Sequence, residues 1–345
     1  MKAILLHEHG GPEKLIYGDF SDPEVGTGQI LIKVKAVALN HLDLFVRQGI
    51  PGLKLEMPHI LGSDIAGVIA EIGPGVTGLE TGQKVVVDPG LYCTKCEFCI
   101  QGQHSLCGQY RIIGEHVRGG YAEYVVVNAE HAIPIPDGVS IDFAQAAALP
   151  LTFMTAWRMV MTRARLKPGE EVLITGIGGG VAVAALQIAK LVGARVTVTS
   201  SSDEKLGKAL DLGADATINY RENPDYHVEV WKRTGKRGVD VVIDSAGQAT
   251  WEKSIRSLRK GGRLVTCGAT TGPVAETNIN LLFWKQLDLL GSTMGSSSEL
   301  REVLKLAWNE QLKPIIDQTL PLKDARKGHE LLEAGMQFGK LVLKL

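Results

Sequence analysis

The chain has 345 residues, long for a single hydrophobic core and sufficient for two. Its 37 basic and 38 acidic side chains nearly cancel and form no block of like charge, so no electrostatic footprint for nucleic acid or an anionic membrane exists. Apolar residues reach 45% but never run to the roughly 20 needed to span a bilayer, and the apolar stretch Ile4 to Leu6 is too short for a secretory leader. These features describe a soluble, cytoplasmic protein whose partner is a small molecule.

From the start to about residue 130, short alternating stretches such as Ile30-Leu31-Ile32-Lys33-Val34-Lys35-Ala36-Val37 and Lys84-Val85-Val86-Val87 are separated by glycine turns, among them Gly73-Pro74-Gly75. That pattern predicts a β-rich region. Within it, four of the five cysteines fall inside fifteen residues as Cys93-x2-Cys96-x2-Cys99-x7-Cys107. From about residue 143 the texture changes to buried strands alternating with helices: Glu171-Val172-Leu173-Ile174-Thr175, a helix through Lys190, Arg195-Val196-Thr197-Val198-Thr199, another helix, and Val239-Asp240-Val241-Val242-Ile243. Such alternation predicts βαβ units, a parallel sheet and the α/β class.

The cysteine spacing suits zinc. Four thiolates at about 2.3 Å close a tetrahedron that leaves no position for substrate, so the metal is structural. Disulfides need an oxidising compartment, and an iron–sulfur cluster fits the fourth spacing poorly. Cys267, alone in an apolar stretch, reads as a buried small hydrophobe.

Right after the first strand of the second region comes Gly176-Ile177-Gly178-Gly179-Gly180-Val181-Ala182, opening a small-residue helix. Glycine permits the tight turn and the close backbone approach, and the free N–H groups at a helix start attract a pyrophosphate. The pattern is a G-x-x-G-x-x-A variant of the dinucleotide fingerprint. The next strand ends at Ser200, not at the acid that takes the ribose hydroxyls of NAD. Ser201, Ser202, Lys205, Tyr220 and Arg221 supply hydroxyls and cations that suit NADP(H) over NAD(H), while Asp203 and Glu204 fit the start of a helix.

The cysteine lobe, Gly62-Ser63-Asp64-Ile65-Ala66-Gly67-Val68, Gly120-Tyr121-Ala122-Glu123-Tyr124-Val125, the segment Leu149 to Trp157, the nucleotide loop and Phe338-Gly339-Lys340-Leu341-Val342 together resemble the medium-chain dehydrogenase/reductase superfamily along the whole chain. The resemblance implies a GroES-like catalytic domain over residues 1–151, a Rossmann domain over 152–290 and a segment 291–345 that returns to the first. It also implies a homodimer or homotetramer. In zinc-dependent alcohol dehydrogenases of this superfamily a cysteine, a histidine and a third ligand hold a catalytic metal; the matching positions here are Asn40, Ser63 and Leu151, which cannot replace them. Asn40 with Asp43, and Gly62-Ser63-Asp64, look instead like the quinone oxidoreductase branch, which usually lacks the cysteine lobe. The chain is a hybrid.

Without a catalytic metal, Asn40, Asp43 and Asp64 become the residues expected to stabilise or orient, and Thr155 matches a residue lining the nicotinamide pocket. By the same resemblance Ser245, Gly268, Ser292 and Lys340 border the cofactor. Asn40 and Asp43 equally suit a helix start. His41, His59 and Asp64 allow a nonstandard metal site, and His116 a proton donor. The expected function is NADP(H)-dependent reduction of a quinone, enone or aldehyde; an alcohol dehydrogenase with a rebuilt metal site and a non-catalytic NADPH-binding sensor are the alternatives.

Overall fold

The computed structural model describes all 345 residues, which divide into two compact units, Met1–Thr152 with Gly295–Leu345, and Phe153–Met294. No helix is long and apolar enough to cross a membrane.

The first unit is built on a seven-stranded sheet. Its path runs Ile316–Pro321, Lys340–Lys344, Gln29–Ala38, Asp64–Ile72, Lys84–Val87 and Ala132–Pro134, with Tyr124–Asn128 also paired to Gln29–Ala38. In the strand Gln29–Ala38, Ile30, Ile32, Val34 and Ala36 are buried while Lys33 is exposed, the alternation expected when one face meets the core. Its last residues are buried on both faces because the short helix Phe143–Ala147 closes over the other side. Ala36, Ala38 and Ala66 meet Ala144, Ala146 and Ala147 there, and only small side chains let helix and sheet approach so closely. The register then sets up a site. Ala38 pairs with Asp64 on one neighbouring strand and with Val342 on the other, so Asn40, Asp64 and Lys340 arrive at the same end of the sheet.

The second unit is a six-stranded parallel sheet in the order Ala216–Asn219, Arg195–Ser200, Glu171–Ile174, Val239–Asp244, Leu258–Thr266, Asp288–Gly291. Strand order reverses beside Glu171–Ile174, and ligands of such doubly wound sheets bind at the carboxyl ends of the strands around that reversal. All six residues of Val239–Asp244 are buried, as expected for a strand covered on both faces. The helix Ile279–Lys285 packs Leu281 and Leu282 against the core and leaves Phe283 and Trp284 exposed. Cys267 is only partly buried, contrary to its reading as a core residue, because it follows the last residue of Leu258–Thr266 where the sheet opens. Desolvation still pushes its thiol up to about 12, which keeps it protonated.

Candidate functional site

In the cysteine lobe, Thr94 and Gly102 adopt positive φ and turn the chain back on itself. Cys96 opens the short helix Glu97–Ile100, and its N–H donates to Cys93 Sγ at 3.3 Å. The Gln109 N–H donates to Cys107 Sγ at 3.4 Å. The four Sγ atoms lie within 4.8 Å of one another, with Cys93 and Cys99 at 3.9 Å. A tetrahedron with bonds of about 2.3 Å has edges of about 3.8 Å, so the donor set fits zinc with little rearrangement. His104, on the excursion between the last two cysteines, stacks on Tyr92 at 3.8 Å and accepts the Ser297 N–H at 3.2 Å, which ties the lobe to the returning segment.

The second cluster is the one assembled by the sheet register. Lys340 Nζ donates to Asn40 Oδ1 at 2.6 Å and to Asp64 Oδ2 at 3.0 Å, and Asn40 Nδ2 donates to that same carboxylate oxygen at 3.0 Å. The other Asp64 oxygen takes the Leu151 N–H at 2.8 Å. All three side chains are buried. Asn40 does stand at the start of the helix His41–Gln48, but its side chain makes no capping bond; its second amide hydrogen goes to the Ala38 carbonyl at 3.4 Å. Ser63 Oγ, next to Asp64, is buried without a partner.

Asp43 does the capping. Its carboxylate accepts the Asn40 N–H at 2.7 Å and the Gly62 N–H at 3.1 Å, clamping the helix start to the segment that carries Ser63 and Asp64. Gly62 is needed for this: φ is +99°, and a Cβ there would lie 2.4 Å from the Tyr121 ring. Burial pushes the Asp43 carboxyl up to about 7, against the Asn40 N–H and the Lys340 charge. Behind Asp43 stands a buried chain that the sequence did not reveal. Arg47 donates to His329 Nδ1 at 3.2 Å, so His329 Nε2 carries the proton and donates to the Tyr121 hydroxyl at 3.2 Å; burial and then the neighbouring Asp43 hold that phenol well above its usual range. Glu333 pairs with Arg47 at the outer end. Burial, then Arg47, holds His329 down to about 3, so it stays neutral. The one available signal was Arg47 four residues after Asp43, on the same helical face.

The other histidines are dispersed. His59 Nε2 donates to the Gly114 carbonyl at 3.0 Å, His116 Nδ1 accepts the Ile112 N–H at 3.1 Å, and burial together with Lys340 lowers His41. The four cysteines are the one group of three or more metal-ligating side chains gathered about a common point.

In the second unit, Gly176 and Gly178 have φ of +66° and +131°, and the helix Gly180–Val192 begins after Gly179 with no side-chain cap, Val181 standing in its first turn. Nothing lies within 4 Å of a Cβ built at Gly176 or Gly179. Open glycines before an uncapped helix start are what a pyrophosphate requires. Ser200 is buried at its strand end and accepts the Ser202 N–H at 3.2 Å; Ser201 is half-buried. Ser202 caps the next helix through the Lys205 N–H, Asp203 binds Asn219 at 2.8 Å, and Tyr220 is exposed. Ser245 and Gly268 lie just past the ends of the neighbouring strands Val239–Asp244 and Leu258–Thr266, and the Thr270 hydroxyl donates to the Ser245 carbonyl. Ser292 Oγ, after the last strand, is buried and unpartnered, and Thr155 Oγ1 lies 4.0 Å from Met294 Sδ.

Residues 26–137 match the family model described as alcohol dehydrogenase GroES-like domain, and residues 180–309 that of zinc-binding dehydrogenase. The NAD-dependent alcohol dehydrogenase of Sulfolobus acidocaldarius is 35% identical, each chain covered in full. The quinone oxidoreductase of Rattus norvegicus is 31% identical over 100% of this chain and 98% of its own. A solved structure of an NAD-dependent alcohol dehydrogenase is 45% identical with a TM-score of 0.96, again over 100% of both chains.

Proposed function

The chain belongs to the zinc-type alcohol dehydrogenase family of the medium-chain dehydrogenase/reductase superfamily and is an NAD(P)-dependent oxidoreductase of small molecules; on that premise we propose that it is an NADPH-dependent reductase of quinones, enones or aldehydes, with zinc in its cysteine lobe and none at the reacting centre. The observation that carries this reading is the donor set at the centre. Asn40, Ser63 and Leu151 offer an amide, a hydroxyl and an alkyl chain, and a lysine ammonium is ion-paired to the one carboxylate among them, Asp64. A divalent cation finds no thiolate or imidazole among these three side chains and meets a positive charge already in place. In the lobe the opposite holds, since four thiols with no countercharge converge.

The preference for NADPH is drawn from the strand end at Ser200. No carboxylate stands there to repel a 2′-phosphate, and the nearest acid, Asp203, is engaged by Asn219. When bound, the reduced nicotinamide supplies a hydride. The chain's own residues hold it: the loop Gly176 to Val181 takes the pyrophosphate, Ser201, Lys205 and Tyr220 the adenosine end, and Ser245, Gly268, Ser292 and Thr155 the nicotinamide end. The exposed Phe283 and Trp284 support assembly into a homodimer or homotetramer.

The test is metal content with activity, on protein purified without added metal. One zinc per subunit, with NADPH turnover of quinones and enones unaffected by mild chelation, is the expected result. A second metal removed together with turnover overturns the reading and makes alcohols the first substrates to examine.

A further inference from the structure

Within the unit Phe153–Met294, the helices Tyr226–Arg233, Trp251–Ser257 and Ile279–Lys285 share one apolar core and leave a groove of about 370 Å³ between them. That volume lies in the range of small-molecule sites. Val228, Trp231 and Leu281 line it with apolar surface, and His227, Arg256 and Lys285 supply its polar atoms; no carboxylate is among them. Lys285 Nζ donates to the Arg256 carbonyl at 3.0 Å and to the Leu258 carbonyl at 2.7 Å, so the ammonium is fixed in place with its third N–H left over. Burial, then the like charge of Arg256, lowers the Lys285 pKa, as befits two cations without a counter-ion between them. Arg256 pairs at 2.8 Å with Glu252 on its own helix, an exposed contact that holds it weakly. His227 Nδ1 is buried and unpartnered, and Lys236 Nζ adds positive charge 5.5 Å from the centre of the Trp231 ring. Because Leu258 begins its strand, the groove lies toward the amino ends of the parallel sheet, whereas the glycine loop follows the carboxyl end of Glu171–Ile174.

We propose that this groove binds a small aromatic carboxylate, with its ring against Trp231 and Leu281 and its oxygens on Arg256 and Lys285, independently of the dinucleotide. Charge and shape both select this class. Two cations, one of them shared with Glu252, balance a single negative charge better than the nearly two of a phosphate monoester at pH 7. A guanidinium fork matches the two oxygens of a carboxylate, and the remaining Lys285 N–H reaches the same anion. Burial lowers the His227 pKa, so the ring is neutral at pH 7 and can carry its hydrogen on Nδ1 and donate it to the ligand.

The probe is 2-naphthoate, titrated by calorimetry into the zinc-loaded full chain with saturating nicotinamide dinucleotide present, with 2-naphthamide and AMP as comparisons. One equivalent is expected to bind. In protein labelled with 5-fluorotryptophan, the Trp231 fluorine resonance, identified by its absence from Trp231→Phe, should shift as it does so. The amide and AMP should each bind at least about tenfold more weakly, the factor that one hydrogen bond to a charged group supplies. Arg256→Gln and Lys285→Gln should each weaken 2-naphthoate about tenfold with dinucleotide affinity unchanged. Lys285 also ties two helices together; should its variant fail to fold, the exposed Arg256→Gln decides alone, and wild-type affinity there overturns the proposal. Equal affinity for the amide overturns it too, leaving an apolar groove without charge selection, and tighter binding of AMP overturns the choice of a carboxylate. Binding seen only without dinucleotide, binding that leaves Trp231 undisturbed, or no binding at all likewise sinks it.

Discussion

In the cysteine lobe four thiols from one stretch of fifteen residues face one another and await a cation; in the Lys340 centre the cation is a side chain, and its partners come from 276 and 300 residues away. The lobe holds together through its own turns, and His104, stacked on Tyr92, ties it to the returning segment through the Ser297 N–H. The centre exists only while three strands keep their register, because Ala38 must pair with both Asp64 and Val342 for Asn40 and Lys340 to meet. A local site can be lost without the fold; a register-built site cannot be disturbed without straining the sheet that makes it. That difference can be broken experimentally from either side.

The largest effect is expected from Asp64→Ala. It leaves the Lys340 ammonium buried with a neutral amide as its only partner, and orphaning one member of a buried pair costs about 3–5 kcal/mol. Calorimetry should show a marked fall in Tm while zinc per subunit stays at the wild-type value. Zinc lost in parallel would mean that lobe and centre are not independent.

Next is Asp43, whose carboxyl titrates at about 7 when folded against an ordinary 3.8. The folded state then binds more protons than the unfolded one between those values, so the contribution of this group to stability is complete below about pH 4 and is lost as pH rises to about 7. The whole change is about 4 kcal/mol at 1.36 kcal/mol per unit. Asp43→Asn should abolish that slope in denaturant unfolding followed across the window. Parallel curves for variant and wild type would rule out Asp43 as its source.

Cys96→Ser tests the other side. Changes that only neighbour a ligand weaken metal binding about 10–100-fold, and loss of a thiolate should exceed that, read as zinc retained against a competing chelator. Proteolytic nicking between Cys93 and Cys107 should follow, with unfolding of the sheet little changed. If turnover vanished in a stable, correctly assembled variant, the zinc would not be purely structural.

The same contrast explains what could be read before folding. Cysteine spacing, the glycine loop after its strand and the alternation Ile30, Ile32, Val34 are local signals, and each corresponds to the element it suggested. Asn40 and Asp64 could be singled out one at a time, but their union with Lys340 follows from strand pairing that no short pattern encodes. Asp43 looked like an ordinary first-turn acid, and it is one; its burial depends on Gly62 and Tyr121, which arrive from other parts of the chain. Tyr121 and His329 carry no local mark of pairing at all. Cys267 misled for the reverse reason, since an apolar neighbourhood in sequence says nothing about where the strand stops.

The smallest effect concerns the cofactor and uses a signal as local as the cysteines. Ser200 sits at the strand end next to the glycine loop, with its hydroxyl accepting the Ser202 N–H at 3.2 Å. An aspartate there can keep that bond, so Ser200→Asp should fold, but its charge repels a 2′-phosphate and can accept the ribose hydroxyls of NADH. The ratio of kcat/KM for NADPH over NADH should fall about tenfold, or about 1.4 kcal/mol, with the Lys340 centre untouched and the acceptor KM unchanged. Lys205 and Arg221 remain as cations for the phosphate, which is why the shift is modest and not a full reversal. An unchanged ratio would show that preference is set elsewhere in the pocket, and that the strand end is less self-contained than the cysteine lobe.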